Sequence, residues 1–520
     1  MAKDFLCSKT APIVQTQEGR LRGFRYDGTY IFQGVDYAWA DRFEQPQPVK
    51  PWEGVKDALS YGYVCPLLDQ EVPQGEIMIP HRYWPMDEHC QNLNIWTPTL
   101  DPAAKKPVMV WLHGGGFSSG SAIEHVAYDG ENMSKFGDVV VVSINHRLNI
   151  LGYLDLSPFG DKYRNSANAG NADMVEALRW IRRNIESFGG DPENVTLFGQ
   201  SGGGMKVWTL MQTPEADGLF QKGIIQSGLV DGFMEDAHPD TTQIIDAMLD
   251  QLGLDRDQVD QLASMPYAQL AQAYKQVAPK LDEQGVYTGC NPLPNDFYLG
   301  DPRQIGFTDH AKTIPVMIGT VLGEFAFGPG VADKYSLPDK AMREMIAQKY
   351  GAAAEELIRL FQATYPEKNL TDLLFLDSVF RAPTRDFIAK KSQHAEAPTY
   401  SYLFTYEFPY DDGHIAWHCA EIPFCFHNMD KVPVYNTPGV TDQLQEQIFG
   451  AWINFGRYGD PNYVGLPQWP ACAPGDEATM IFDTHCQVRH NHDGALIDLH
   501  AKSTPAFFAR KDDEDEMLLH

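Results

Sequence analysis

The run Val139 to Ile144 constrains the fold of this chain more than any other segment. It reads Val-Val-Val-Val-Ser-Ile, β-branched and almost wholly apolar. A strand with one solvated face alternates apolar and polar residues; this one does not, so it must be buried on both faces. Residues 172–185 follow, with Met174, Leu178, Ile181 and Ile185 spaced by four, three and four, the apolar stripe of a helix. Gly189-Gly190-Asp191-Pro192 ends that helix, and Val195 to Phe198 is a second short strand. Val108–Leu112 before them, and Gly223–Ile225, Pro315–Ile318 and Tyr400–Tyr406 after them, read as further strands. Strands alternating with helices predict an α/β fold: a large, mostly parallel central sheet flanked on both faces by helices. Residues 1–520 are expected to form a single domain. Within it, 232–300 and 330–395, mainly helical and polar, are expected as insertions covering one end of the sheet.

Charge narrows the partners. Lys and Arg number 41 against 70 Asp and Glu, a formal net charge of −29. Such a surface repels nucleic acid and anionic membranes, so neither is expected as a partner. No segment has the long apolar run of a membrane span or a leader peptide, which points to a cytoplasmic protein. Cys7, Cys65, Cys90, Cys290, Cys419, Cys425, Cys472 and Cys486 are scattered without paired CxxC spacing and read as reduced thiols. His485-Cys486 and His490-x-His492 cluster in sequence but fit no zinc spacing, so no metal and no cofactor is expected. Residues 511–520 carry Asp512-Asp513-Glu514-Asp515-Glu516 and read as a solvated acidic tail.

The chemistry concentrates at Gly199-Gln200-Ser201-Gly202-Gly203, which follows the Val195–Phe198 strand and opens a helix. A sharp strand-to-helix turn needs small neighbours. It lifts the serine hydroxyl out of the sheet and aims the N–H of Gly202 at a developing oxyanion. His113-Gly114-Gly115-Gly116-Phe117 follows the Val108–Leu112 strand. Three glycines bring backbone N–H groups close to a ligand, as acyl transfer requires. A phosphate cradle would want a Lys and a Ser or Thr at fixed spacing, and these are missing. His113 is expected to position this loop.

With these two motifs the chain resembles the type-B carboxylesterases, the cholinesterase-like branch of the α/β-hydrolases. Gly34-Val35-Asp36-Tyr37-Ala38 with Arg42-Phe43, Asn92-Leu93-Asn94-Ile95, Asn145-His146-Arg147-Leu148, Gly170-Asn171-Ala172, Phe188 to Pro192, and Trp452, Phe455 and Gly459 to Asn462 carry the likeness over most of the chain. The resemblance implies an α/β-hydrolase fold and a serine esterase acting on small-molecule esters through a Ser-His-Glu triad. Many acids lie between Ser201 and the C-terminus, and spacing alone does not choose among them. The family pattern G-x-x-x-x-E falls on Gly319 to Glu324, and H-x-x-E-I-P-F-x-F falls on His418 to Phe426. Glu324 and His418 are thereby the expected acid and base, and His414 and His427 fit no template. Gly115, Gly116 and Gly202 are the expected oxyanion donors. Ser227, in Gln226-Ser227-Gly228, resembles a second serine in the triad network, against the alternative of a buried, satisfied hydroxyl. Phe117, Tyr83 and Trp84 are expected near the substrate, with ordinary aromatic packing the competing reading for the last two. Gln200 stands where Glu is usual and Gly202 where Ala is usual, which bears on the pH profile and on the oxyanion donor. Cys65 and Cys90 fall where secreted relatives carry a disulfide and are expected reduced here. The same nucleophile serves amides, thioesters and lactones, and a cholinesterase-like binding protein without catalysis is the alternative from another class.

Overall fold

The computed structural model describes residues 4–68, 81–234, 238–410 and 413–504; the acidic tail at 511–520 lies outside them. A twelve-stranded sheet organises the chain. Its strands are β1 (Phe5–Leu6), β2 (Phe24–Tyr26), β3 (Thr29–Asp36), β4 (Asn92–Thr97), β5 (Lys106–Leu112), β6 (Val140–Ile144), β7 (Gly190–Gln200), β8 (Lys222–Gln226), β9 (Val316–Val321), β10 (Thr399–Phe404), β11 (Ala478–Phe482) and β12 (Gln487–His490). They lie in the order β1-β2-β3-β4-β6-β5-β7-β8-β9-β10-β11-β12. Every pairing from β6 through β11 is parallel, and the pairings at both edges are antiparallel.

The central strands are buried on both faces, as the unalternating Val139–Ile144 run required. Val108, Val110 and Leu112 of β5 point into one core, Met109 and Trp111 into the other. The first core is closed by the helix α1 (Ala169–Asn184), whose Met174, Leu178 and Ile181 meet the sheet, and by α2 (Gly202–Met211). Between residues 232 and 300 lie α3 (Thr242–Leu252) and α4 (Tyr267–Asp282). Between 330 and 395 lie α5 (Asp339–Tyr350), α6 (Ala354–Thr364) and α7 (Arg381–Lys391). The second core is closed by α8 (Thr441–Tyr458), through Ile448, Phe449, Trp452 and Phe455. No helix among the described residues is long and apolar enough to cross a membrane.

Two boundaries differ from the sequence reading. The strand expected at Val195–Phe198 begins at Gly190, pairing with Lys106. Gly189, at φ +76°, makes the whole turn by itself, so the residues after it are free to extend. The strand expected to reach Tyr406 stops at Phe404.

What the topology does for function is to gather loops. β5, β7, β8 and β9 are parallel neighbours, and each releases its chain at the same sheet edge, just before His113, Ser201, Ser227 and Glu324 respectively. Carboxyl ends of parallel strands are where open α/β sheets place their ligands.

Candidate active site

Ser201 joins β7 to α2 with φ +59° and ψ −127°, a region rarely adopted by any residue with a side chain. Neighbouring backbone holds it there: its N–H donates to the Gln226 carbonyl at 2.8 Å, and its own carbonyl accepts from Met205 at 3.0 Å. Glycine is required on either side by close approach. A Cβ on Gly203 would lie 2.0 Å from the Leu112 carbonyl oxygen, and one on Gly202 would lie 2.3 Å from the nitrogen and oxygen of Gly116. The start of α2 therefore rests directly on the Gly114–Gly116 loop. Gly115 and Gly116 have φ of +81° and +57°. None of the hydrogen bonds among the described residues uses their N–H groups, and Gly202, at the first position of a helix, has no carbonyl a turn earlier to meet.

Glu324 is fully buried just past β9. One carboxylate oxygen accepts from the Ser227 hydroxyl at 2.6 Å and from the Val321 N–H at 3.0 Å; the other faces His418 Nδ1 at 2.5 Å. The His418 N–H also donates to the Glu324 carbonyl at 2.9 Å, so backbone and side chain fix the pair together. Ser227 is thus a buried hydroxyl partnered by this carboxylate. With Nδ1–H given to Glu324, Nε2 carries the lone pair. Gln200 Nε2 lies 3.2 Å from both ring nitrogens of His418, so the amide packs against the ring rather than along the Nε2 lone pair. Cys419 Sγ donates to Gln200 Oε1 at 3.0 Å, which settles which end of the amide faces the ring. Among the described residues the Ser201 hydroxyl has no hydrogen-bond partner, and catalytic contacts of this kind often tighten only around substrate.

Two more buried carboxyls surround this pair. Asp377 caps α7 by accepting from the N–H groups of Val379, Phe380 and Arg381, and Glu421 accepts from Gln226 Nε2 at 3.1 Å. Burial, with the nearby charge of Glu324, holds both up at about 7. Aromatic rings supply an apolar wall: Phe380 lies 4.9 Å from the His418 ring, Phe325 5.8 Å from Phe380, and Phe233 within 3.2 Å of where a Gly116 Cβ would be.

Of the residues expected near the substrate, Phe117 is fully buried, its ring edge-on to Tyr153 at 5.1 Å. Trp84 packs edge-on against Tyr61 at 5.5 Å, and Tyr83 is 55% exposed. Cys65 and Cys90 are buried free thiols beside Leu148 and Leu151. His485, Cys486, His490 and His492 do not converge: Cys486 bonds Gln447, His490 bonds Asp476, and His492 meets Tyr365. His414 is held by the Ile415 and Gly328 carbonyls, and His427 by Glu446. Phe233, Asp377 and Cys419 escaped the sequence reading. Only Cys419 had a signal, its place directly after the expected base.

Comparison with known proteins bears on the family and the fold. The chain matches the carboxylesterase family over residues 10–497. It is 32% identical to a para-nitrobenzyl esterase of Bacillus subtilis, over 93% of this chain and 97% of that protein. It is 33% identical to a phenmedipham hydrolase of Pseudarthrobacter oxydans, over 91% and 95%. Among solved structures, an esterase from anaerobic Clostridium hathewayi, described as able to hydrolyse aliphatic aromatic polyesters, superposes with a TM-score of 0.94 at 54% identity. That alignment covers 97% of this chain and all of the other. The sheet, the serine turn and the match across nearly the whole chain lead to one statement: this protein belongs to the carboxylesterase family, has the α/β-hydrolase fold and is a carboxylic ester hydrolase.

Proposed function

We propose that Ser201, His418 and Glu324 are the catalytic residues of a serine esterase, with Gly115, Gly116 and Gly202 as its oxyanion hole. The supporting observation is the Glu324–His418 contact of 2.5 Å, held beside a serine in a strained strand-to-helix turn. Ser201 Oγ attacks the ester carbonyl carbon while His418 Nε2 takes its proton. The backbone N–H groups hold the oxyanion. The C–O bond breaks and the alcohol leaves with the proton from His418; water then attacks the acyl-serine by the same route. Glu324 holds the imidazole tautomer and stabilises the imidazolium. Ser227 and the Val321 N–H keep the carboxylate aimed.

The substrate class is an ester with an aromatic or bulky apolar group beside the carbonyl. Phe233, Phe325 and Phe380 supply that wall, and the relatives act on para-nitrobenzyl esters and aliphatic aromatic polyesters by their descriptions. A panel of aryl and alkyl esters, run with Ser201→Ala and a fluorophosphonate label, tests both parts. Expected are loss of turnover and labelling in Ser201→Ala, and higher kcat/KM for benzoate than for acetate esters. Turnover retained without Ser201 would end the assignment.

A further inference from the structure

Lys206 is a buried charge that the reaction above does not use. It lies on α2, one turn beyond Gly202, and is fully buried. Its Nζ donates to the His113 carbonyl at 2.8 Å. That carbonyl is the first past β5, at the root of the Gly114–Gly116 loop. The groups facing Nζ come from several elements. His113 stands at the end of β5 and His146 past β6, their rings stacked at 5.1 Å; Glu124 comes from the connection after the glycine loop, and the Phe117 ring centre lies 5.8 Å away. None of the ion pairs among the described residues includes Lys206. Burial pushes its ammonium down to about 7, Glu124 partly opposing, and burial together with Lys206 keeps His113 and His146 well below the ordinary imidazole range. An apolar side chain of this length would fill the same space without the cost of desolvating a charge.

What an apolar side chain would not do is cross between two segments. The oxyanion donors assigned above come from two pieces of chain, Gly115 and Gly116 from the loop after β5 and Gly202 from α2. Their spacing depends on how the first turn of α2 sits on that loop. Gly202 and Gly203 permit the approach by having no side chain, but exert no pull. Lys206 does pull, by a charged hydrogen bond from α2 to the base of the loop. We infer that Lys206 is a positioning residue that clamps α2 to the glycine loop and so sets the geometry of the oxyanion hole. The inference rests on the assignment of Ser201 and the three glycines made above.

The test uses the full chain with Lys206→Met and Lys206→Gln, each normalised to folded sites by fluorophosphonate titration at its endpoint. An aryl trifluoromethyl ketone reports on the hole: Ser201 Oγ adds to its carbonyl, the proton passes to His418, and the oxyanion occupies the donors. Expected are a kcat lower by about tenfold or more, a KM within about twofold, and a ketone Ki raised in the same ratio as kcat falls. Unfolding midpoints should not drop, and kcat/KM of the parent should show a pH dependence above 7 that Lys206→Met lacks. A kcat within about twofold of the parent, a loss confined to KM, or a kcat loss with Ki unmoved would overturn the clamp. So would failure of both variants to fold, which would assign Lys206 to core stability. Ser201→Ala run alongside separates the two levels. If it stays active the site assignment itself is wrong, whereas an inactive Ser201→Ala beside a normal Lys206→Met removes the clamp alone.

Discussion

Gly202 replaces the alanine usual in the family, and the structure shows why a methyl group is excluded. Its Cβ would sit 2.3 Å from both the nitrogen and the oxygen of Gly116, far inside van der Waals contact with backbone that has no rotamer to change. Gly202→Ala, a step toward the family's usual residue, is therefore expected to push the loop away. It should lower kcat by roughly one to two orders of magnitude with little change in KM, read in steady-state ester hydrolysis. Gln200 raises a matching question at the base. A carboxylate this close to the His418 ring would attract the proton of an imidazolium, which the neutral amide does not. Gln200→Glu should therefore move the acid limb of the kcat/KM profile to higher pH, and a profile that stays in place would refute the contact as a tuning element. Cys419 holds that amide and occupies φ +74°, a conformation costing a residue with a Cβ about 1 kcal/mol. Cys419→Gly should raise the unfolding midpoint while altering the pH profile, because it relieves the backbone and frees Gln200. Cys419→Ser, which keeps a donor, should preserve the profile.

Between elements, one buried ion pair couples the sheet to its first large helix. Arg147 leaves β6 and grips Asp173 on α1 through Nε at 2.9 Å and Nη2 at 2.7 Å; its own N–H adds a third bond at 3.0 Å. Both side chains are almost wholly buried. Removing one partner leaves an uncompensated charge, so Asp173→Ala should cost about 3–5 kcal/mol in urea unfolding, and a loss under 1 kcal/mol would show that water reaches the site. The same pair explains what was legible. β6 and α1 were readable because burial on both faces and a helical stripe leave patterns in a single stretch of residues. The proposed triad required the family likeness, since Ser201, Glu324 and His418 follow three different strands, β7, β9 and β10, whose carboxyl ends lie at one edge only in the folded sheet. The edge strands β1, β2 and β12 are short, with no residue fully buried, so they carried no periodicity to read. Where Phe117 points had no signal, because an aromatic beside a glycine loop looks alike whether it turns outward or inward; its partner Tyr153 comes from a separate stretch of chain past β6.

For the molecule as a whole, charge and burial pull stability in opposite directions as pH falls. The net charge of −29 weakens toward the pI near 4.8, so self-repulsion alone predicts stabilisation by mild acid. Surface charges are screened within about 8 Å at physiological salt, whereas buried groups are not. Buried Asp377 and Glu421, held up at about 7, bind protons more tightly in the folded than in the unfolded chain. Their contribution therefore also weakens as pH rises through that value. Four imidazoles oppose them. Burial keeps His113, His125 and His146 well below 6.5 and His492 at about 4. The unfolded chain thus takes up these protons first, and the stability they contribute is present above 6.5 and lost as pH falls below it. Near pH 5 these four imidazoles favour unfolding and the raised carboxyls, with Asp36, Asp217 and Asp372 among them, oppose it. The imidazoles are expected to prevail, so stability falls toward acid. The unfolding midpoint at constant ionic strength is therefore expected to be lower at pH 5.0 than at pH 6.5, with a small rise at both on adding salt. A midpoint that climbs steadily down to pH 5.0 would mean that surface repulsion outweighs the buried imidazoles. His113→Gln, which keeps a polar side chain beside the Gly114 carbonyl, should flatten the acid decline by about one proton's worth.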